Sequence, residues 1–237
     1  MIALRTTLYK IAVLILAAAA IAAGVFTVAH YSGKPSLKQF VQEYDAAQYI
    51  GQVPVAEKYM QWYSSDQLLA ALEKAHTNDV CHLQGHAIGR VLYKHNPNFA
   101  EVTKQCGNSC TYGCFHGVMM EMFDTDSDTL GGVIEDESPE QYLAHVRAAA
   151  KDLCTKPEVQ SVIQLRTCYH GLGHVFESTA ENDLDTSIGM CDVFTDPRAA
   201  ESCVTGVFME HFYNASSTPI RVTKGPEPCD RYPQYTN

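Results

Sequence analysis

The sequence predicts an all-α protein: an internally duplicated helical domain, built as a pseudo-twofold bundle or a short helical solenoid, behind one N-terminal transmembrane helix. Three observations carry that expectation. An uncharged stretch lies near the start of the chain, apolar residues recur at helical spacing with few alternating β-branched runs, and two short motifs occur twice in the same order. The chain has 237 residues, 46% of them hydrophobic, which is ample for a core and excludes disorder. Every acidic residue follows Lys38, so the body is more acidic than the formal charge of −10. A surface of that sign argues against nucleic acid as a partner.

The uncharged stretch covers 11–29 (IAVLILAAAAIAAGVFTVA). At ~1.5 Å of rise per residue it just spans a ~30 Å hydrocarbon core. Arg5 and Lys10 precede it and no acid does, so the expected topology is single-pass. Residues 1–10 are then cytoplasmic, and the chain after Tyr31 lies outside, in the periplasm or at the cell surface. A cleaved signal peptide ending near Thr27-Val28-Ala29 is the rival, although signal h-regions usually run only ~7–15 residues. Both readings put the cysteines where disulfides persist. The membrane is thus an expected partner through this helix, with a protein partner also open.

Residues 30–37 read as a linker carrying Gly33 and Pro35. Beyond it, Leu37, Phe40, Val41 and Tyr44 follow i, i+3, i+4, i+7 spacing, and Leu68, Leu69 and Leu72 do the same. Ser65 or Asp66 is the expected N-cap of that second segment, and Ser138 followed by Pro139 starts a third. The segments group into a first half over 38–123, an acidic joint over 124–137, a second half over 138–213 and an extended, Pro-bearing tail over 214–237.

The halves rest on the repeated motifs. His82-Leu83-Gln84-Gly85-His86 returns 88 residues later as His170-Gly171-Leu172-Gly173-His174. The run from Cys114 through His116 and Gly117 to Glu121 returns 89 residues later from Cys203 through Thr205 and Gly206 to Glu210. Histidines four apart share one face of a helix, a common way to offer two imidazoles to one ion. Glycines inside helices cost ~1 kcal/mol each relative to alanine, and close approach of neighbouring helices is the usual gain. Pairing the halves would bring His82, His86, His116, His170 and His174 towards Glu121 and Glu210. These seven are the expected ligands of a transition metal, with zinc, iron and copper all compatible with a His/Glu set. Inward Glu and His also build di-iron bundles, although HxxxH here departs from their ExxH spacing. The alternatives are a disulfide-stapled envelope interaction module without metal, its histidines serving packing alone, and a metal-dependent hydrolase or oxidoreductase.

Nine cysteines imply disulfides in an oxidising compartment. Six accompany the repeat: Cys81, Cys106 and Cys114, then Cys168, Cys191 and Cys203. Three per half cannot all pair within their half, so either a bridge joins the halves or Cys110, Cys154 or Cys229 completes a pair. A second possibility is a thiolate metal site over Cys106, Cys110, Cys114 and His116. In the joint, Asp124, Asp126, Asp128 and Glu135 match the ligand spacing of an EF-hand calcium loop. Thr129 stands where that loop needs glycine, which favours a solvated joint with calcium as the alternative. No Walker A, GxGxxG, GxSxG or HExxH motif occurs, which removes the common NTPase, dinucleotide, α/β-hydrolase and zincin readings.

Overall fold

The computed structural model describes residue 15 and residues 33–47, 49–125, 138–160, 163–217 and 231–232. Among these there is no strand; the protein is all-helical. In chain order the helices are α1 (Leu37–Ala46), α2 (Tyr49–Met60), α3 (Ser65–Ala75), α4 (Asn78–His95), α5 (Phe99–Cys106) and α6 (Gly113–Thr125). After the joint come α7 (Pro139–Ala150), α8 (Pro157–Gln160), α9 (Leu165–Thr179), α10 (Leu184–Met190) and α11 (Pro197–Ser217).

Local chemistry sets several of these boundaries. Ser36 and Gln39 close a capping box at α1, and Ser138 and Gln141 close another at α7 with Pro139 in its first turn. At α3 the cap is Ser64, one residue before the expected Ser65, because Gln67 stands three positions beyond Ser64 and completes the box. The last helix runs to Ser217, past the expected boundary at 213. Beyond it, Arg231 and Tyr232 hydrogen-bond to Asp185 on α10.

Helices α1 to α3 buttress α4. Phe40, Tyr44, Tyr59, Leu68, Leu69 and Leu72 are fully buried, and the Tyr44 hydroxyl donates to the Gln84 carbonyl at 2.6 Å. The centre of the molecule consists of two tightly packed helix pairs, α4 with α6 and α9 with α11, joined where α6 lies against α9. Glycine permits both pairs. A Cβ on Gly117 would fall 1.9 Å from the His86 carbonyl oxygen, and one on Gly206 would fall 1.9 Å from that of His170. Likewise a Cβ on Gly89 would meet the Cys114 oxygen at 1.9 Å, and one on Gly173 the Cys203 oxygen at 2.0 Å.

These contacts do not follow the register of the sequence motifs. The motifs match His82 with His170 and Gly85 with Gly173, whereas the packing matches His86 with His170 and Gly89 with Gly173, one helical turn away. The reason is that the first half contains HxxG twice in succession, at His82–Gly85 and at His86–Gly89.

Four disulfides staple the described residues: Cys81–Cys110, Cys106–Cys114, Cys154–Cys168 and Cys191–Cys203. None joins the first half to the second. Cys110 and Cys154, from outside the repeated set, complete the pairs, and Cys229 lies outside the described residues. With Cys106, Cys110 and Cys114 all consumed in this way, the thiolate metal site is excluded. Such bonds mark an oxidising environment.

The single-pass membrane placement is corrected. A span needs about 20 predominantly apolar residues in one helix. Among the described residues no helix is long and apolar enough to cross a membrane. The two longest, α4 and α11, each carry three charged side chains: Asp79, Arg90 and Lys94 in one, Arg198, Glu201 and Glu210 in the other. The stretch 11–29 lies outside the described residues except for Ile15.

Candidate metal centre

The close approach of the helix pairs drives their histidines into one interior volume. His82 and His86 come from α4, His116 from α6, and His170 and His174 from α9. A Cβ on Gly171 would lie 2.6 Å from His116 Cδ2, so the bare backbone of α9 at this point admits the α6 imidazole. One ring nitrogen each from His82, His116, His170 and His174 falls within a common 4.8 Å. A second group, His86, His174 and Glu210, meets the same limit and shares His174. His86, His116, His174 and Glu210 are at most 1% exposed, and His82 only 6%.

Each of the four imidazoles turns one nitrogen inward and bonds the other to an oxygen. His82 Nδ1 is 3.1 Å from the Thr111 carbonyl oxygen, and His116 Nε2 is 3.1 Å from that of Thr167. A carbonyl only accepts, so both of those nitrogens carry the proton. His174 Nδ1 lies 2.9 Å from the Glu210 carboxylate, which fixes it as a donor too. His170 Nδ1 is 2.9 Å from Thr205 Oγ1, whose own hydrogen is given to the Ser202 carbonyl at 2.7 Å. The threonine therefore accepts, and His170 donates.

All four inward nitrogens are then left as lone pairs. His82 Nε2 stands 3.3 Å from His116 Nδ1, and His174 Nε2 stands 3.1 Å from His170 Nε2. Two lone pairs at such distances repel unless a cation lies between them. Tetrahedral ligands at about 2.0–2.1 Å from a zinc ion are about 3.3–3.4 Å apart, close to these two separations, so the group could hold an ion.

The electrostatics agree. Burial holds His82 down to about 4 and His174 down to about 3, while burial and the neighbouring imidazoles keep His86, His116 and His170 well below the usual range. Neutral imidazole, the ligating form, is the form this interior stabilises.

No protein-family model, curated protein or solved structure matches this chain.

The seven expected ligands divide. His82, His116, His170 and His174 form one group. His86 and Glu210 lie behind it, with Glu210 Oε2 3.9 Å from His86 Nδ1 and closer to His174. Glu121 joins neither group; Arg90 meets its carboxylate at 3.2 Å and that of Asp124 at 2.6 Å. In the packing register Arg90 takes the place that His174 occupies against Glu210, which is why the two glutamates have different partners. Of the calcium candidates, Asp124 is in that ion pair, and Asp126, Asp128 and Glu135 lie outside the described residues.

The orienting groups were not legible in the sequence. Thr205 reads there as a lost histidine, yet it is the acceptor for His170. Thr111 and Thr167 act through backbone carbonyls, and the available signal is only that each adjoins a disulfide cysteine, Cys110 or Cys168. Thr111 belongs to a run of three non-glycine residues with positive φ: Cys110 at 52°, Thr111 at 52° and Tyr112 at 67°. Left-handed backbone costs such residues about 1–3 kcal/mol each and persists only when the surroundings impose it. Here the Cys81–Cys110 disulfide and a 2.7 Å hydrogen bond from the Cys110 N–H to Glu73 do so.

Proposed function

We propose that this chain is a disulfide-stapled helical metal-binding protein that holds one transition-metal ion with His82, His116, His170 and His174. The convergence of four imidazole lone pairs, each aimed by an oxygen on the far side of its ring, is the observation that carries this reading. Glu210 then works from outside the ligand set by fixing the His174 tautomer, as carboxylates do behind metal-bound histidines. Four nitrogen donors without thiolate suit zinc, copper or iron. The matching glycine contacts of the two helix pairs support descent from a doubled helical unit, aligned at His86 with His170.

The test is metal content. The full chain, produced in an oxidising compartment, is expected to retain one ion per molecule by elemental analysis. His116→Ala and His174→Ala are expected to lose it while keeping helical circular dichroism and all four disulfides. Metal-free wild-type protein that cannot be loaded with zinc, copper or iron would overturn the reading and leave the histidines as packing residues of an interaction module.

A further inference from the structure

The two sides of the centre differ. Behind it, His86 and Glu210 are 0% and 1% exposed. In front, His82, His116 and His170 line a cavity of about 510 Å³ together with Thr111, Arg166 and Met209. With four imidazole ligands the ion would be four-coordinate, and a small molecule reaching it from this side would add a fifth ligand, an expansion zinc sites allow.

The charge at this mouth is also particular. The first turns of α4 and α9 both line it, through Asn78 and Asp79 on one side and Arg166 and Thr167 on the other. Ser36, Ser64, Asn98, Ser138 and Asp183 cap their helices with side-chain oxygens, but Thr77 before α4 and Gln164 before α9 make no such bond. The starts of the two helices at the cavity thus keep amide hydrogens that a side chain would otherwise occupy. Asp79 is stabilised by the dipole of α4. Arg166 stands at the positive end of α9, where the dipole offers it nothing. No carboxylate among the described residues lies within ion-pair reach of it.

We propose that a small coordinating anion, a carboxylate in particular, enters this cavity, binds the ion on the face formed by His82, His116 and His170, and pairs with Arg166. This rests on the metal reading and extends it from holding an ion to presenting one to a ligand. The metal and the Arg166 guanidinium favour an anion there against the opposing charge of Asp79 across the mouth.

The probe is the full chain loaded with copper(II), titrated with azide and separately with acetate, following the copper absorption spectrum. A saturable change with both anions is expected. In Arg166→Gln the affinity is expected to fall about tenfold with metal stoichiometry unchanged, and Arg166→Lys to recover most of it. Full copper loading with no spectral response to either anion would overturn this inference and leave metal binding standing. An unchanged affinity in Arg166→Gln would overturn it as well. Failure to load copper, zinc or iron would remove both readings together.

Discussion

A histidine serves a metal only if its tautomer leaves a lone pair where the ion will be, and here four oxygens settle that choice. The roles of individual residues then separate cleanly. Glu210→Gln is expected to weaken metal affinity by about 10–100-fold without abolishing it, because it perturbs the orientation of one ligand, His174, and removes none. His86→Asn is expected to keep the full stoichiometry, since His86 stands outside the four-imidazole group. A chelator-competition titration of the two variants beside wild type checks both; loss of the ion in His86→Asn would move the centre to the group of His86, His174 and Glu210. At this scale the motifs HxxxH and CFHG, being local patterns, point to the four histidines whose ring nitrogens converge among the described residues. They did not separate ligands from supports. Glu121 and Glu210 share a motif, and only the packed neighbours, Arg90 and His174, tell them apart.

At the scale of helices, the controlling quantity is the distance between backbones. Gly117 faces the His86 carbonyl so closely that a methyl group has no room, and the obstacle is backbone rather than a movable side chain. Gly117→Ala is expected to destabilise the fold by about 3 kcal/mol or more and to abolish metal binding with it. Gly189→Ala in α10, where nothing lies within 4 Å of the added methyl, is expected to be neutral or stabilising by up to about 1 kcal/mol. Denaturant unfolding of the two variants gives the contrast, and equal stabilities would refute the close-packing account. The glycines announced this packing in advance, since they stand inside otherwise helical motifs. Its register was hidden, because successive HxxG units in α4 offer two alignments that sequence alone weighs equally.

For the whole molecule, burying neutral histidines makes stability depend on pH. Unfolded histidines take up protons near pH 6.5, whereas His82 resists down to about 4 and His174 to about 3. Between those limits the unfolded chain binds more protons, so stability rises with pH there. It is complete above about pH 6.5 and falls as the solution is acidified, by roughly 1 kcal/mol per pH unit for each such histidine. Melting temperatures of the metal-free protein from pH 7 to pH 4 are expected to decline steadily, and a flat profile would contradict the burial of these rings. The all-helical class was legible from periodicity and from the Ser138-Pro139 start of α7. The disulfide map was not, because Cys110 pairs with Cys81 from within the left-handed run Cys110–Tyr112, which those residue types do not favour.

That run has a consequence for how the protein responds to reductant. Thr111 follows Cys110 and Thr167 precedes Cys168, so the bonds joining those sulfurs also hold two of the four imidazoles on target. Reducing those two bonds is expected to loosen the carbonyls that face His82 and His116, and a chelator competition run with and without reductant would show it as weaker retention of any bound ion.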